Sequence, residues 1–131
     1  MPTLTGRERR EIARAEFDAF YDDCPSRVVL TRLADKWVAL VVFALGERDM
    51  RYSELARQVA GVSQKMLTQT LRNLERDGVV TRSVEPTVPV TVTYGLTELG
   101  RGLGLILDEL VVWSEEHVTQ IEHAREQYDA R

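Results

Sequence analysis

Residues 53–78 read Ser53-Glu54-Leu55-Ala56-Arg57-Gln58-Val59-Ala60-Gly61-Val62-Ser63-Gln64-Lys65-Met66-Leu67-Thr68-Gln69-Thr70-Leu71-Arg72-Asn73-Leu74-Glu75-Arg76-Asp77-Gly78. Ser53 suits the N-cap of a short helix from Glu54 to about Val59, because a serine oxygen satisfies an amide left free in the first turn. That helix would bury Leu55, Ala56 and Val59. Ala60-Gly61-Val62 predicts a tight turn, and Ser63 can cap a second helix running to Asp77. Gly78 ends it, since glycine most readily takes the left-handed conformation that closes a helix. Two helices joined by a short glycine-containing turn form a helix-turn-helix, the arrangement whose second helix enters a DNA major groove.

After Gly78 the period changes. Val79–Val84 and Val90–Leu96 are rich in β-branched residues. In the second run Val90, Val92, Tyr94 and Leu96 alternate with Thr91, Thr93 and Gly95, as a half-buried strand requires. Glu85-Pro86-Thr87-Val88-Pro89 between them predicts a stiff tip, because its prolines fix φ and remove two backbone donors. A helix-turn-helix followed by a ribbon over 79–96 predicts a winged helix: mainly α, with a small β-wing.

On the N-terminal side, Ala13, Phe17, Phe20 and Tyr21 follow helical spacing within residues 7–22. Cys24-Pro25 interrupts that helix, and a second runs from Pro25 to Leu33. Asp35 can cap a third, from Lys36 to about Leu45, with Gly46 placed to end it. Trp37, Leu40, Val41, Ala44 and Leu45 recur on it, and Val38, Val42 and Phe43 make it apolar nearly all round, so it belongs in a core. On the C-terminal side, Thr97 can cap a long helix with a seam of Leu99, Leu103, Ile106, Leu110, Trp113, His117, Ile121 and Tyr128. Continuous to Tyr128, it would reach about 45 Å, and its overhanging stripe calls for a second copy of the chain. The chain thus divides into an N-terminal helix (1–23), a winged helix-turn-helix (24–96) and a C-terminal dimerisation helix (97–131).

With 131 residues, 44% hydrophobic and 29% charged, the composition is that of one globular domain and excludes wholesale disorder. The longest nearly uncharged apolar stretch, Trp37–Leu45, falls well short of the roughly 20 residues that cross a bilayer. Met1–Arg7 lacks the apolar core of a secretory signal, so a cytoplasmic location without membrane association is expected. The single cysteine, Cys24, excludes an internal disulfide and a multi-thiolate metal site. The net charge is −4, unevenly spread: residues 47–96 carry seven basic and six acidic groups, residues 97–131 three and eight. Only the middle segment suits a polyanion.

On the 63–77 helix, Leu67, Leu71 and Leu74 must face inward. Gln64, Lys65, Thr68, Gln69, Arg72 and Arg76 occupy the remaining faces, and these residue types bond base edges and phosphates. A polar helix face taken alone more often meets only water; the turn before this one and the ribbon after it favour DNA. Arg51, Tyr52, Ser53 and Ser63 are placed for phosphate contact, and Arg82 is the only cation on the ribbon. His117 and His123, six apart, do not share a helix face as metal ligands would, so neither a metal nor a cofactor is expected. No glycine-rich phosphate loop, metal-ligand pattern or nucleophile–base pair points to an enzyme. Trp37 and Trp113 suit core or interface anchoring, and the 37–45 helix could line a small-molecule effector cavity. The alternative reading is a winged helix that binds a protein rather than DNA, for which the modest basic charge and the acidic tail speak.

Cys24-Pro25, Asp35-Lys36-Trp37, Arg51-Tyr52-Ser53-Glu54-Leu55, the run from Val62 to Gly78, Pro86-Thr87-Val88-Pro89 and Tyr94-Gly95-Leu96-Thr97-Glu98-Leu99-Gly100 occur in this order. Together they resemble the HxlR family of bacterial winged-helix transcription regulators over about residues 24–113. The resemblance implies a homodimer joined through N- and C-terminal helices, with Phe17, Phe20, Tyr21, Leu110, Trp113, His117 and Ile121 at its interface. It further implies two recognition helices, Ser63–Asp77, reading a roughly palindromic operator in double-stranded DNA beside a wing at 79–96. In some relatives the cysteine at the position of Cys24 senses oxidants or electrophiles, so Cys24 is either a thiol sensor or a small packing side chain. The chain departs from the family pattern at Ala34-Asp35, where glycines usually precede Lys-Trp, and at Val90, where an arginine usually follows the second wing proline.

Overall fold

The computed structural model describes residues 3–23 and 25–131, with side chains over 3–18 and 25–131. The chain divides after Asp35 into two compact units. The first holds α1 (Gly6–Asp23) and α2 (Pro25–Leu33). A reciprocal cap starts α1: the Thr5 hydroxyl accepts from the Glu8 amide at 3.2 Å, and the Glu8 carboxylate accepts from the Thr5 amide at 2.7 Å. Arg7 and Glu11 pair one turn apart at 3.0 Å. No residue of α2 is buried, and Val28, Val29 and Leu30 are exposed.

The second unit runs α3 (Lys36–Glu47), β1 (Met50–Arg51), α4 (Tyr52–Gln58), α5 (Gln64–Arg76), β2 (Val80–Glu85), β3 (Thr91–Leu96) and α6 (Glu98–Asp129). Its core is built from Val38, Val41, Val42 and Leu45 of α3, Met50, Leu55 and Val59, the α5 leucines Leu67, Leu71 and Leu74, and Val79 and Val80. α3 is therefore the central helix that its all-round apolar sequence demands. The sheet is antiparallel in the order β1-β3-β2, with Met50 opposite Tyr94, and Val80 to Glu85 opposite Leu96 to Thr91.

Several boundaries differ from expectation. Gly46 lies inside α3 rather than ending it. Helix α4 begins two residues early, with Arg51 and not Ser53 at its N-cap: the Arg51 amide donates to Glu54 Oε1 at 3.1 Å. The acceptor is thus supplied from three residues downstream, and Ser53 stands exposed. Ala56 is exposed as well. At the tip, Val90 falls outside β3 and is exposed, and Thr91 to Tyr94 are all half-buried rather than alternating. The reason is β1, a two-residue strand too short to leave a periodic signal, which makes β3 the middle strand. The buried residue of β3 is Gly95, where a Cβ would lie 2.6 Å from Asp49 Oδ1.

The end of α5 follows expectation. Gly78 has φ +78, the Val79 amide bonds the Leu74 carbonyl at 2.9 Å, and the Gly78 amide bonds the Glu75 carbonyl at 3.1 Å. This pair of bonds is a Schellman closure, which glycine makes without steric cost. Thr97 caps α6 by accepting from the Gly100 amide at 3.0 Å. α6 then continues unbroken for 32 residues, about 48 Å. Beyond Leu107 only His117 is even half-buried, so the stripe of Leu110, Trp113, Ile121 and Tyr128 lies open.

Candidate nucleic-acid interface

The face that α5 leaves outward is set by the face it buries. Leu67, Thr70, Leu71 and Leu74 recur every three or four residues and are all inside. Steps of four, three and four then put Lys65, Gln69, Arg72 and Arg76 on the opposite side, and all four are exposed. Gln64, Lys65, Thr68, Gln69 and Arg72 line one shallow cleft of about 430 Å³. Ser63 caps the helix through its hydroxyl, which accepts from the Met66 amide at 3.1 Å.

Tyr52 ties the two helices of the motif together. Its hydroxyl lies 3.1 Å from the Gln64 carbonyl and 3.2 Å from Thr68 Oγ1. A carbonyl only accepts, so the phenol proton goes to Gln64, and the Thr68 hydroxyl donates to Tyr52. Tyr52 and Thr68 are half-buried with these hydroxyls committed to each other. Their part at the surface is accordingly to hold the start of α5.

The wing lies across a second cleft, of about 340 Å³, lined by Tyr52, Thr68, Leu71, Arg72, Glu75, Arg82 and Tyr94. Arg82 stands opposite Tyr94 in the ribbon register, so the wing's one cation joins Arg72 at the cleft. The tip is closed by Thr87, whose hydroxyl donates to the Pro89 carbonyl at 2.7 Å and lies 3.1 Å from Thr91 Oγ1. The Val88–Pro89 peptide is cis.

Arg51 is exposed on β1 at the foot of α4. Beside it, Arg48 Nη1 lies 2.7 Å from Glu54 Oε2, so Arg48 is engaged within the protein. The Arg51 amide, then Arg48, stabilise the Glu54 carboxylate and hold its pKa below the ordinary range.

Four residues of these surfaces escaped the sequence reading. Arg57 joins Ser53, Ser63 and Gln64 at a cleft of about 420 Å³ between α4 and α5. Tyr94 and Glu75 enter through the strand register and the helix–wing approach, for which the sequence holds no signal. Asn73 accepts at Oδ1 from Gln69 Nε2 at 3.1 Å; its i+4 spacing from Gln69 was legible. Of the residues expected at an interface between copies, Phe17, Leu110, Trp113 and Ile121 are exposed. His117 is half-buried, stacked on Trp113 with ring centroids 4.6 Å apart, and its Nδ1 donates to the Trp113 carbonyl at 2.7 Å. The side chains of Phe20 and Tyr21, and Cys24 altogether, lie outside the described residues. Among the described residues no group of His, Cys, Asp and Glu gathers as metal ligands, and no helix is long and apolar enough to cross a membrane.

The sequence pattern of the HxlR-like helix-turn-helix family matches residues 32–122, which takes in α3 and most of α6. The chain belongs to that family. This HxlR-like chain is 38% identical over 112 residues to an HTH-type transcriptional regulator of Escherichia coli, YtfH, covering 86% of this chain and 89% of the relative. Among solved structures, the transcriptional regulator YtfH of Salmonella typhimurium superposes with a TM-score of 0.74 at 40% identity, covering 82% of this chain and 96% of that one. The redox regulator HypR in its reduced form superposes with a TM-score of 0.70 at 34% identity, over 76% of this chain and 99% of the other. The fold is a winged helix, and the HxlR-like chain is a transcriptional regulator of that type, not an enzyme.

Proposed function

We propose that this regulator acts as a homodimer on a roughly palindromic operator, each copy laying α5 in a major groove and its wing, 79–96, against the flanking backbone. The observation that carries this reading is the division of α5: four core positions inward, and Lys65, Gln69, Arg72 and Arg76 outward and exposed. Lysine and arginine bond guanine or phosphate, glutamine bonds adenine, and the free amides after Ser63 suit a phosphate. Arg51 and Arg82 flank the helix as backbone contacts. Two-fold pairing through the open α6 stripe would present two such helices to two half-sites.

A thiol switch at Cys24 is supported by the likeness to the redox regulator HypR. Diamide then weakens or strengthens operator binding by the wild type and leaves Cys24→Ser unchanged; equal responses assign Cys24 to packing. The DNA reading is tested by titrating the chain with its own promoter region in a gel shift. Sequence-specific, salt-dependent binding is expected. Binding to no duplex, together with stable co-purification of a protein, would transfer the α5 face to a protein partner.

A further inference from the structure

Gln69 and Asn73 sit one turn apart on α5, and Gln69 Nε2 donates to Asn73 Oδ1 at 3.1 Å. Gln69 is exposed and Asn73 half-buried, so the pair has an inner anchor and an outer reader. A free glutamine amide can turn over and offer its oxygen and its NH2 group in either order. Here one of the two N–H groups is taken by Asn73. What remains is the carbonyl oxygen and the other N–H: one acceptor and one donor. In the major groove adenine offers a donor at N6 and an acceptor at N7, whereas guanine offers two acceptors and cytosine only a donor.

We infer that Asn73 is a positioning residue that fixes the Gln69 carboxamide in the orientation complementary to adenine, so that the pair specifies one adenine in each half-site. The inference rests on the major-groove reading of α5 and deepens it. Lys65 and Arg72, in the same cleft as Gln69, offer donors only, so they cannot supply the acceptor that adenine N6 requires. Position supports the pairing of roles: Gln69 is on the outward line of the helix, while Asn73 is one turn along and set back toward the core. A role confined to helix support would give the amide pair a small effect on melting and none on base preference.

The test is a selection from a duplex library randomised over about 20 base pairs, two major-groove half-sites, using the full-length wild type and the variants Gln69→Ala, Asn73→Ala and Asn73→Asp. The wild type is expected to enrich an adenine in each half-site by roughly tenfold over the other bases. Gln69→Ala and Asn73→Ala flatten that position to about twofold. Asn73→Asp, which can only accept, restores the adenine preference even though its added charge weakens binding to every sequence. Because the readout is a ratio between bases, a uniform loss of affinity does not imitate it. Retention of the adenine preference in Asn73→Ala, or its loss in Asn73→Asp, would overturn the inference while the DNA reading stands. A wild type that enriches no sequence would remove the DNA reading and this inference together.

Discussion

The Thr97 hydroxyl donates to the Gly78 carbonyl at 2.6 Å, so the residue that caps α6 is bonded to the residue that closes α5. The Thr97 amide adds a bond to the Val79 carbonyl at 3.1 Å. Gly100, one turn into α6, is buried with its Cα so close to that carbonyl that an added Cβ would collide with it. Helices α5 and α6 are thereby joined at a backbone contact only glycine permits.

Replacing Gly100 with alanine should therefore destabilise the protein by about 1–3 kcal/mol through overpacking, although alanine is intrinsically the better helix former by about 1 kcal/mol. Gly46 is the comparison: it is helical, exposed, and has nothing within 4 Å of an added Cβ. Gly46→Ala should stabilise by up to about 1 kcal/mol. Thermal unfolding of the two variants should show shifts of opposite sign; a gain in both would mean that the Gly100 contact relaxes freely.

Tyr52→Phe removes the hydroxyl that joins Gln64 and Thr68 and leaves the ring in place. The expected cost is about 1 kcal/mol, a fall in Tm of roughly 4 °C for a chain of this size. Calorimetry that found no change would mean that water replaces the hydroxyl without loss.

Glu54 gives a prediction in pH. Its carboxyl is held below the ordinary glutamate value by the Arg51 amide and then by Arg48, so the folded state binds the proton less readily than the unfolded chain. The resulting stabilisation is present above the unfolded value of about 4.3 and is lost as pH falls through the lowered folded value. The Tm advantage of wild type over Glu54→Gln should hold steady near neutrality and shrink below about pH 4. An advantage that grew on acidification would have the wrong sign.

Leu110, Trp113 and Ile121 are exposed on α6. A charge there should break pairing through that stripe while sparing the fold. The wild type is expected to sediment as a dimer and Trp113→Glu as a monomer, with far-ultraviolet circular dichroism unchanged. A variant that remained dimeric would place the interface elsewhere.

The sequence disclosed most of this architecture because its signals are local. The α5 leucines recur at helical spacing, Gly78 stands where the helix must close, and Thr97 stands where the next must open. What it hid depends on pairing across the chain. β1 is two residues long and exists only because Met50 and Arg51 lie beside Tyr94 and Thr93. That neighbour turned β3 into a middle strand and erased the expected alternation. Ser53 looked like the cap, but Glu54 reaching back to the Arg51 amide moved the helix start by two residues. The outward line of Lys65, Gln69, Arg72 and Arg76 was legible from periodicity. The commitment of the Tyr52 and Thr68 hydroxyls to each other was not, since it joins residues on two helices.

Whether the outward face of α5 recognises DNA is decided by a fluorescence titration comparing operator with random duplex at one salt concentration. The wild type should prefer the operator by roughly 10³-fold or more, and the combined variant Lys65→Ala, Gln69→Ala and Arg72→Ala should lose that preference with its melting temperature intact. A triple variant that still chose the operator as the wild type does would contradict the account.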